Sequence, residues 1–347
     1  MRTTCSSARD ASGGSNSEMI LAGDIGGTNA RIAFFDIERR RFKRIYEHNY
    51  STHEHPNLES AVARFIGEYH VKPVAACFGI AGPVSGWRRA EMPNLKWVVE
   101  ADKLAREIGI ESVTLVNDLE ANAYGIGALE PTDLASLNEG RAEASGNQGV
   151  IAAGTGLGEA GLYWDGKIHR PFACEGGHAD FGPGDELQTE MLVHLRREFG
   201  HVSWERVVAG PGLLNIYHFL RDTGRGEEPT WLRDELAQPD PSVHITRLGL
   251  EGRSELCVRA LEIFVSMYGA EAGNLALKLM ATGGIFVGGG IAPKILRKLQ
   301  AGEFMAAFVH KGRFERLLRD VPVRVILNDK TALLGAAQAA ALRGSLL

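Results

Sequence analysis

Cysteine is scarce in this chain: four residues, Cys5, Cys77, Cys174 and Cys257, among 347. None forms a Cys-x-x-Cys pair, so the sequence offers neither a zinc ribbon nor a redox dithiol. That usage fits free thiols in a reducing cytoplasm. Long apolar runs are missing as well. None approaches the ~20 residues that a bilayer-crossing helix needs, which excludes a membrane role of that kind. There is no basic excess either: the formal net charge is -5, and without a basic patch nucleic acid is not an expected partner. Acids surround the run Arg39-Arg40-Arg41, which reads as a solvated face. A Walker A motif is also absent. The pair Gly166-Lys167 is followed by Ile168, so this is not a P-loop enzyme.

What is present is ordinary globular material, 44% hydrophobic and 23% charged, with length enough for two domains. Residues 1–18 are rich in Ser and Gly and lack an apolar core. They read as a disordered tail or an upstream start rather than a secretory signal, with Met19 a candidate initiator.

The most informative stretch is Gly23-Asp24-Ile25-Gly26-Gly27-Thr28-Asn29-Ala30-Arg31, set between the apolar runs Met19-Ile20-Leu21-Ala22 and Ile32-Ala33-Phe34-Phe35. The pattern predicts strand, glycine turn, strand. Glycines let such a turn adopt unusual dihedrals or approach a ligand, and its successive N–H groups can converge on an anion. An acid inside a phosphate-binding turn needs a cation between the two charges. Asp24 therefore points to phosphate with Mg²⁺, held directly or through water. An ordinary hairpin with an exposed Asp is the plainer alternative.

The device recurs. Gly149-Val150-Ile151-Ala152-Ala153 leads into Gly154-Thr155-Gly156-Leu157-Gly158, then Ala160-Gly161-Leu162-Tyr163-Trp164, with Asp165-Gly166 as a hairpin signal. An internal duplication would set the two glycine turns across a cleft from each other. Other apolar runs predict strands at 73–80, 112–116, 285–287 and 323–327. Helical spacing marks 57–69, with Asn57 as N-cap, and 101–108. Residues 185–223 and 254–281 read as mostly helical, 224–253 as a long loop, and 331–342 as an Ala-rich closing helix. The apolar face of 254–281 suits a core better than an interface. Asn117-Asp118 ends a buried strand, the place where open α/β sheets bind ligands. It is equally a good helix N-cap for 119–127. By themselves Glu175 and Glu205 read as surface residues and His178 as a structural histidine.

Taken in order, residues 23–31, Asn117-Asp118, residues 154–158, Glu175-Gly176-Gly177-His178, Glu205-Arg206-Val207 with Gly210-Pro211-Gly212, and Gly288-Gly289-Gly290-Ile291 resemble the bacterial glucokinase family. That family lies within the hexokinase, actin and Hsp70 superfamily. The resemblance implies an α/β protein of two ribonuclease-H-like (actin-like ATPase) domains flanking a deep cleft. The small domain would hold 19–128 plus 327–347 and the large domain 129–326. The implied reaction is ATP-dependent phosphorylation of glucose at its 6-hydroxyl, at the entry to glycolysis. Gly23, Asp24, Ile25, Gly26, Gly27 and Thr28 would serve the transferring phosphate, and Gly154, Thr155 and Gly156 the rest of the triphosphate. Gly289 and Gly290 would lie against adenosine. Asp24 would serve Mg²⁺. Asp118 would be the general base, and Asn117, Asp118, Glu175, His178 and Glu205 would read the sugar hydroxyls. Ile80-Ala81-Gly82-Pro83 and Met92-Pro93-Asn94-Leu95-Lys96-Trp97 would border the sugar cleft.

The resemblance also implies a cytoplasmic homodimer. Related sugar kinases and repressors carry a zinc-binding cysteine cluster near the His motif. Cys174 is the only cysteine in that region, so no zinc is expected. The competing readings are a kinase for another hexose or N-acetylhexosamine, a different phosphoryl donor, a non-catalytic sugar sensor, and an Hsp70-like or actin-like ATPase. Retention of Asp118 with both turns speaks against the sensor. The Glu175, His178 and Glu205 set speaks against the ATPases.

Overall fold

The computed structural model describes residues 19–38, 41–92 and 94–346. The predicted tail at 1–18, Arg39-Arg40 and Pro93 lie outside the described residues. The first half runs β1 (Ile20–Ile25), β2 (Asn29–Glu38), β3 (Arg41–Ser51), α1 (Leu58–Tyr69), β4 (Ala75–Ile80), β5 (Val84–Ser85), β6 (Arg89–Met92), β7 (Trp97–Glu100), α2 (Ala101–Ile108), β8 (Ser112–Asn117) and α3 (Asp118–Gly125). The second continues with β9 (Leu134–Asn138), β10 (Gln148–Ala153), β11 (Leu157–Trp164), β12 (His169–Cys174), α4 (Glu186–Phe199), α5 (Gly210–Asp222), α6 (Thr230–Leu236), α7 (Pro241–Leu250) and α8 (Glu255–Leu279). It ends with β13 (Gly284–Gly288), α9 (Leu296–Leu299), α10 (Glu303–Val309), α11 (Glu315–Arg319), β14 (Val323–Ile326) and α12 (Thr331–Arg343).

Two large sheets repeat one plan. The first has the order β3-β2-β1-β4-β8 and the second β12-β11-β10-β13-β14-β9. In each, an antiparallel three-strand meander continues into two parallel strands. The second sheet adds β9, antiparallel, at its far edge. Strands β5, β6 and β7 form a separate small sheet. The duplicated glycine turns are thus the β1–β2 and β10–β11 connections of two like sheets.

Local chemistry explains several elements. Asn57 caps α1, its side chain accepting from the Ser60 N–H at 2.9 Å. Ser254 caps α8. Fourteen residues of that 25-residue helix are buried, so 254–281 is core. Gly269 and Gly273 let α8 approach α10, where a Cβ would overlap the Phe304 and Phe308 carbonyls. The Ala-rich α12 lies on the first sheet, its Ala332, Leu333 and Ala336 packed with Ile20, Ala22, Cys77 and Val116.

The long loop expected at 224–253 is not one. It contains α6 and α7. The prolines that suggested a loop stand at helix starts, Pro229 as N-cap of α6 and Pro241 in the first turn of α7. There a missing N–H costs nothing and the fixed φ suits the helix. Leu232, Ile245 and Leu248 bury the inner faces.

Candidate active site

The parallel register aligns Ile25, Ile80 and Asn117 across β1, β4 and β8, so the first glycine turn and Asn117-Asp118 leave the same edge of one sheet. Gly23 and Ile25 lie inside β1, paired on both sides, just ahead of the turn. A Cβ at Gly23 would overlap the Phe78 ring. The turn closes through Gly26 N–H to Asn29 O at 2.8 Å and leaves Thr28 exposed. Asp24 pairs in register with Arg31. Burial raises the Asp24 carboxyl above its ordinary range, with the Arg31 guanidinium opposing the shift and Asp329 adding to it.

Asn117 and Asp118 form the start of α3, and both Oδ1 atoms accept from the Leu119 N–H at 2.9 Å. The pair caps α3, as the plainer reading of these residues expected. Asn117 Nδ2 donates to Gly82 O at 3.2 Å, which brings the 80–83 segment against it. Burial pushes the Asp118 carboxyl up to about 6; the Leu119 N–H opposes this, and the carboxylates of Asp24 and Glu175 add to it. Asp24, on the first sheet, and Glu175, beyond the second, are thus both close enough to be felt at Asp118.

Glu175, His178 and Glu205 come together. His178 Nε2 lies 3.9 Å from Glu175 Oε2, and its Nδ1 lies 4.0 Å from Glu205 Oε1. The Glu175 side chain is 77% exposed and that of His178 60%, against 31% for Glu205. Glu205 is the anchored member: its Oε2 accepts from the Leu157 N–H at 2.9 Å and stands against Gly156 of the second turn. Gly177 lets the 175–178 segment fold onto β11, since a Cβ there would overlap the Leu157 carbonyl. The second turn closes through Gly154 N–H to Gly156 O at 2.8 Å and accepts at Gly154 O from the Gly210 N–H at 2.8 Å. Gly289 has φ +81 and lies so close to Ala153 that a Cβ would overlap its backbone. Gly290 next to it faces open space.

The profile of the glucokinase family matches residues 21–343. This chain belongs to the glucokinase family. A glucokinase from a Nostoc species is 39% identical over 340 residues, covering 93% of this chain and 99% of its own. A solved glucokinase from an Antarctic psychrotroph superposes with a TM-score of 0.82 at 30% identity, over 93% of this chain and 98% of that one. A ROK-family glucokinase from Streptomyces griseus, solved in complex with glucose and AMPPNP, shares the fold at a TM-score of 0.63 and 20% identity, over 93% and 99% of the two chains. The protein is a sugar-phosphorylating enzyme with the two-unit actin-like ATPase architecture.

Two parts of this glucokinase-family site were not read from the sequence. One is a cavity of about 310 Å³ beside the second turn, walled by Leu213, Ser242, Val243, Thr246, Leu250 and Ile291, with the charged residues Arg247, Glu251 and Lys294 also lining it. Its walls come from α5, α7 and the segment after β13, and the helical spacing of Val243, Thr246 and Leu250 was the available signal. The other is Thr52, only 1% exposed. Its Oγ1 donates to Gly27 O at 2.9 Å and its N–H to Thr28 O at 3.0 Å, which fixes the first turn from β3. That contact joins residues too far apart in sequence for any local pattern to report. Asn94, in the second predicted cleft segment, approaches Gly27.

The residues fit a magnesium ion shared with substrate. Among the described residues no three His, Cys, Asp or Glu side chains form a group able to hold a metal. Mg²⁺ usually takes one or two protein carboxylates and completes its shell with phosphate oxygens and water. A single desolvated carboxylate, Asp24, beside the first glycine turn suits that mode.

Proposed function

We propose that this protein transfers the γ-phosphoryl group of ATP to the 6-hydroxyl of D-glucose, with Asp118 as general base. The observation that carries this reading is the placement of Asp118 at the first residue of α3, on the sheet edge that also bears the first glycine turn, where loss of hydration pushes its carboxyl up to about 6 and the charges of Asp24 and Glu175 are both felt. A base poised just below neutral pH is ionised when the enzyme works yet still accepts a proton readily. Asp118 takes the hydroxyl proton as the O6–H bond breaks and the O6–phosphorus bond forms, and the bond from phosphorus to the departing ADP oxygen breaks in line. Phosphoryl transfer needs little covalent help, so the remaining work is placement and charge stabilisation.

Gly26, Gly27 and Thr28 receive the transferring phosphate, and Gly154, Thr155 and Gly156 the others. Adenosine enters the cavity beside α7, against Gly289 and Gly290. Asn117, Glu175, His178 and Glu205 bond the sugar hydroxyls; their mixed donors and acceptors would be left unpaired by an analogue lacking one. Mg²⁺, near Asp24, would neutralise charge developing on the phosphate oxygens. The division into a smaller unit of 19–128 with 327–347 and a larger one of 129–326 puts Asp118 and α3 at the crossover. Closure there would exclude water, the competing acceptor.

The test is ADP release with ATP and Mg²⁺ against glucose, mannose, fructose, N-acetylglucosamine and no sugar. Turnover preferring glucose supports the reading. ATP hydrolysis indifferent to sugar refutes it, and preference for another sugar reassigns the pocket.

A further inference from the structure

Behind the segment that carries Glu175 and His178 lies a carboxyl that phosphoryl transfer does not use. Glu159 sits in β11, 1% exposed, opposite Cys174, which precedes Glu175. Its Oε1 has no hydrogen-bond partner. Gly176 packs so closely on the same carboxyl that a Cβ would overlap it. From the other side comes Glu271 of α8, fully buried and within hydrogen-bond reach of Glu159. Both Glu271 oxygens are already engaged: Oε1 accepts from Lys278 Nζ at 2.9 Å and Oε2 from Asn274 Nδ2 at 2.7 Å. The other titratable groups around the pair are Cys174 of β12, which feels Glu159 and Glu175, Tyr268 of α8, which feels Glu159, and Lys311 after α10, which feels Glu271 and Lys278.

Two carboxylates side by side in a dry interior cannot both ionise cheaply, so one keeps a proton. Glu271 already accepts from the ammonium and the amide. Glu159, with an unpartnered oxygen, is the better seat for the proton, because a neutral acid loses less by burial than a carboxylate. Burial, and then the Glu271 charge, push Glu159 up to about 8, with Lys278 opposing.

We infer that Glu159 is a positioning residue, a neutral acid bonded to Glu271 that ties the 175–178 segment to helix α8. The inference rests on that segment being the sugar site. When the proton leaves, two like charges face each other beneath Gly176, and the segment carrying Glu175 and His178 is displaced. Sugar binding therefore weakens as pH rises through about 8, whereas the nucleotide cavity beside α7, which Glu159 does not line, is unaffected.

The experiment measures KM for glucose and for ATP between about pH 6.5 and 9.5 in the parent, Glu159→Gln and Glu159→Leu. One ionisation centred near pH 8 predicts a rise in the parent's glucose KM of up to roughly thirtyfold across that span, with the ATP KM steady. Gln keeps the shape and a donor but cannot ionise, so its glucose KM stays low and flat. Leu removes the tie, so its glucose KM is raised at every pH and equally flat. A parent that phosphorylates glucose with a pH-independent KM overturns the role of Glu159 and leaves the sugar reading standing, and that measurement needs no variant to fold. A Gln variant that follows the parent's rise overturns it too. A parent whose ADP release ignores sugar removes the sugar reading and this role together.

Discussion

If Asp118 is the base, as proposed, it carries opposite demands for stability and for catalysis. Its folded carboxyl is raised to about 6 from an ordinary 3.8. Stability from this group is therefore fully present below the ordinary value and is lost as pH rises through about 6. Activity runs the other way, because the base must be ionised. Accordingly kcat/KM for glucose should fall about tenfold per pH unit below about 6, read from a pH–rate profile. Asp118→Asn keeps the acceptor for the Leu119 N–H and removes a buried charge, so its thermal midpoint at pH 8 should equal or exceed the parent's. A lower midpoint would mean that the carboxylate stabilises the fold. Thr52 acts at one remove. Thr52→Val loses one hydrogen bond to the first turn and should lower kcat/KM by roughly three- to tenfold, the equivalent of ~1 kcal/mol, while Thr52→Ser restores it.

At the scale of elements, α7 and the α3–α12 contact matter most. Thr246→Trp projects into the cavity beside the second turn. It should raise the ATP KM by roughly tenfold or more and leave the glucose KM within about twofold, because the intruding ring costs contacts only in the nucleotide pocket. Gly335 lies so close to α3 that a Cβ would overlap the Ala121 carbonyl. Gly335→Ala should destabilise by about 1–3 kcal/mol, read by denaturant unfolding. The glycine turns, the Asn57 cap and the strand leading to Asn117-Asp118 were legible in the sequence because each is decided within a few residues by dihedral freedom, capping or periodicity. Strand β3 was not, since at a sheet edge Arg41, Lys43, Arg44, Tyr46 and His48 meet solvent and no apolar alternation marks it. Helices α6 and α7 were hidden by prolines that start helices as readily as they end them. The cavity was hidden for a different reason: beyond the helical spacing within α7, its walls are assembled from three separate stretches of chain.

Across the whole molecule, α3 is the part shared by both sheets. Its Ala121 packs with α12 on the first sheet. Its Ala123, with Ile126 just beyond, packs with Val150, Ala160 and Leu162 of the second. Leu119, next to the proposed base, fills the space left by Gly158 beyond the second turn. A shift between the sheets would therefore move Asp118, the proposed base, relative to the second glycine turn. The measurement that tests the account most directly pairs turnover with calorimetric glucose binding in Asp118→Asn. The account predicts glucose affinity close to the parent's and a kcat lower by roughly 10²–10⁴-fold. A variant that binds glucose and turns over near the parental rate would contradict it.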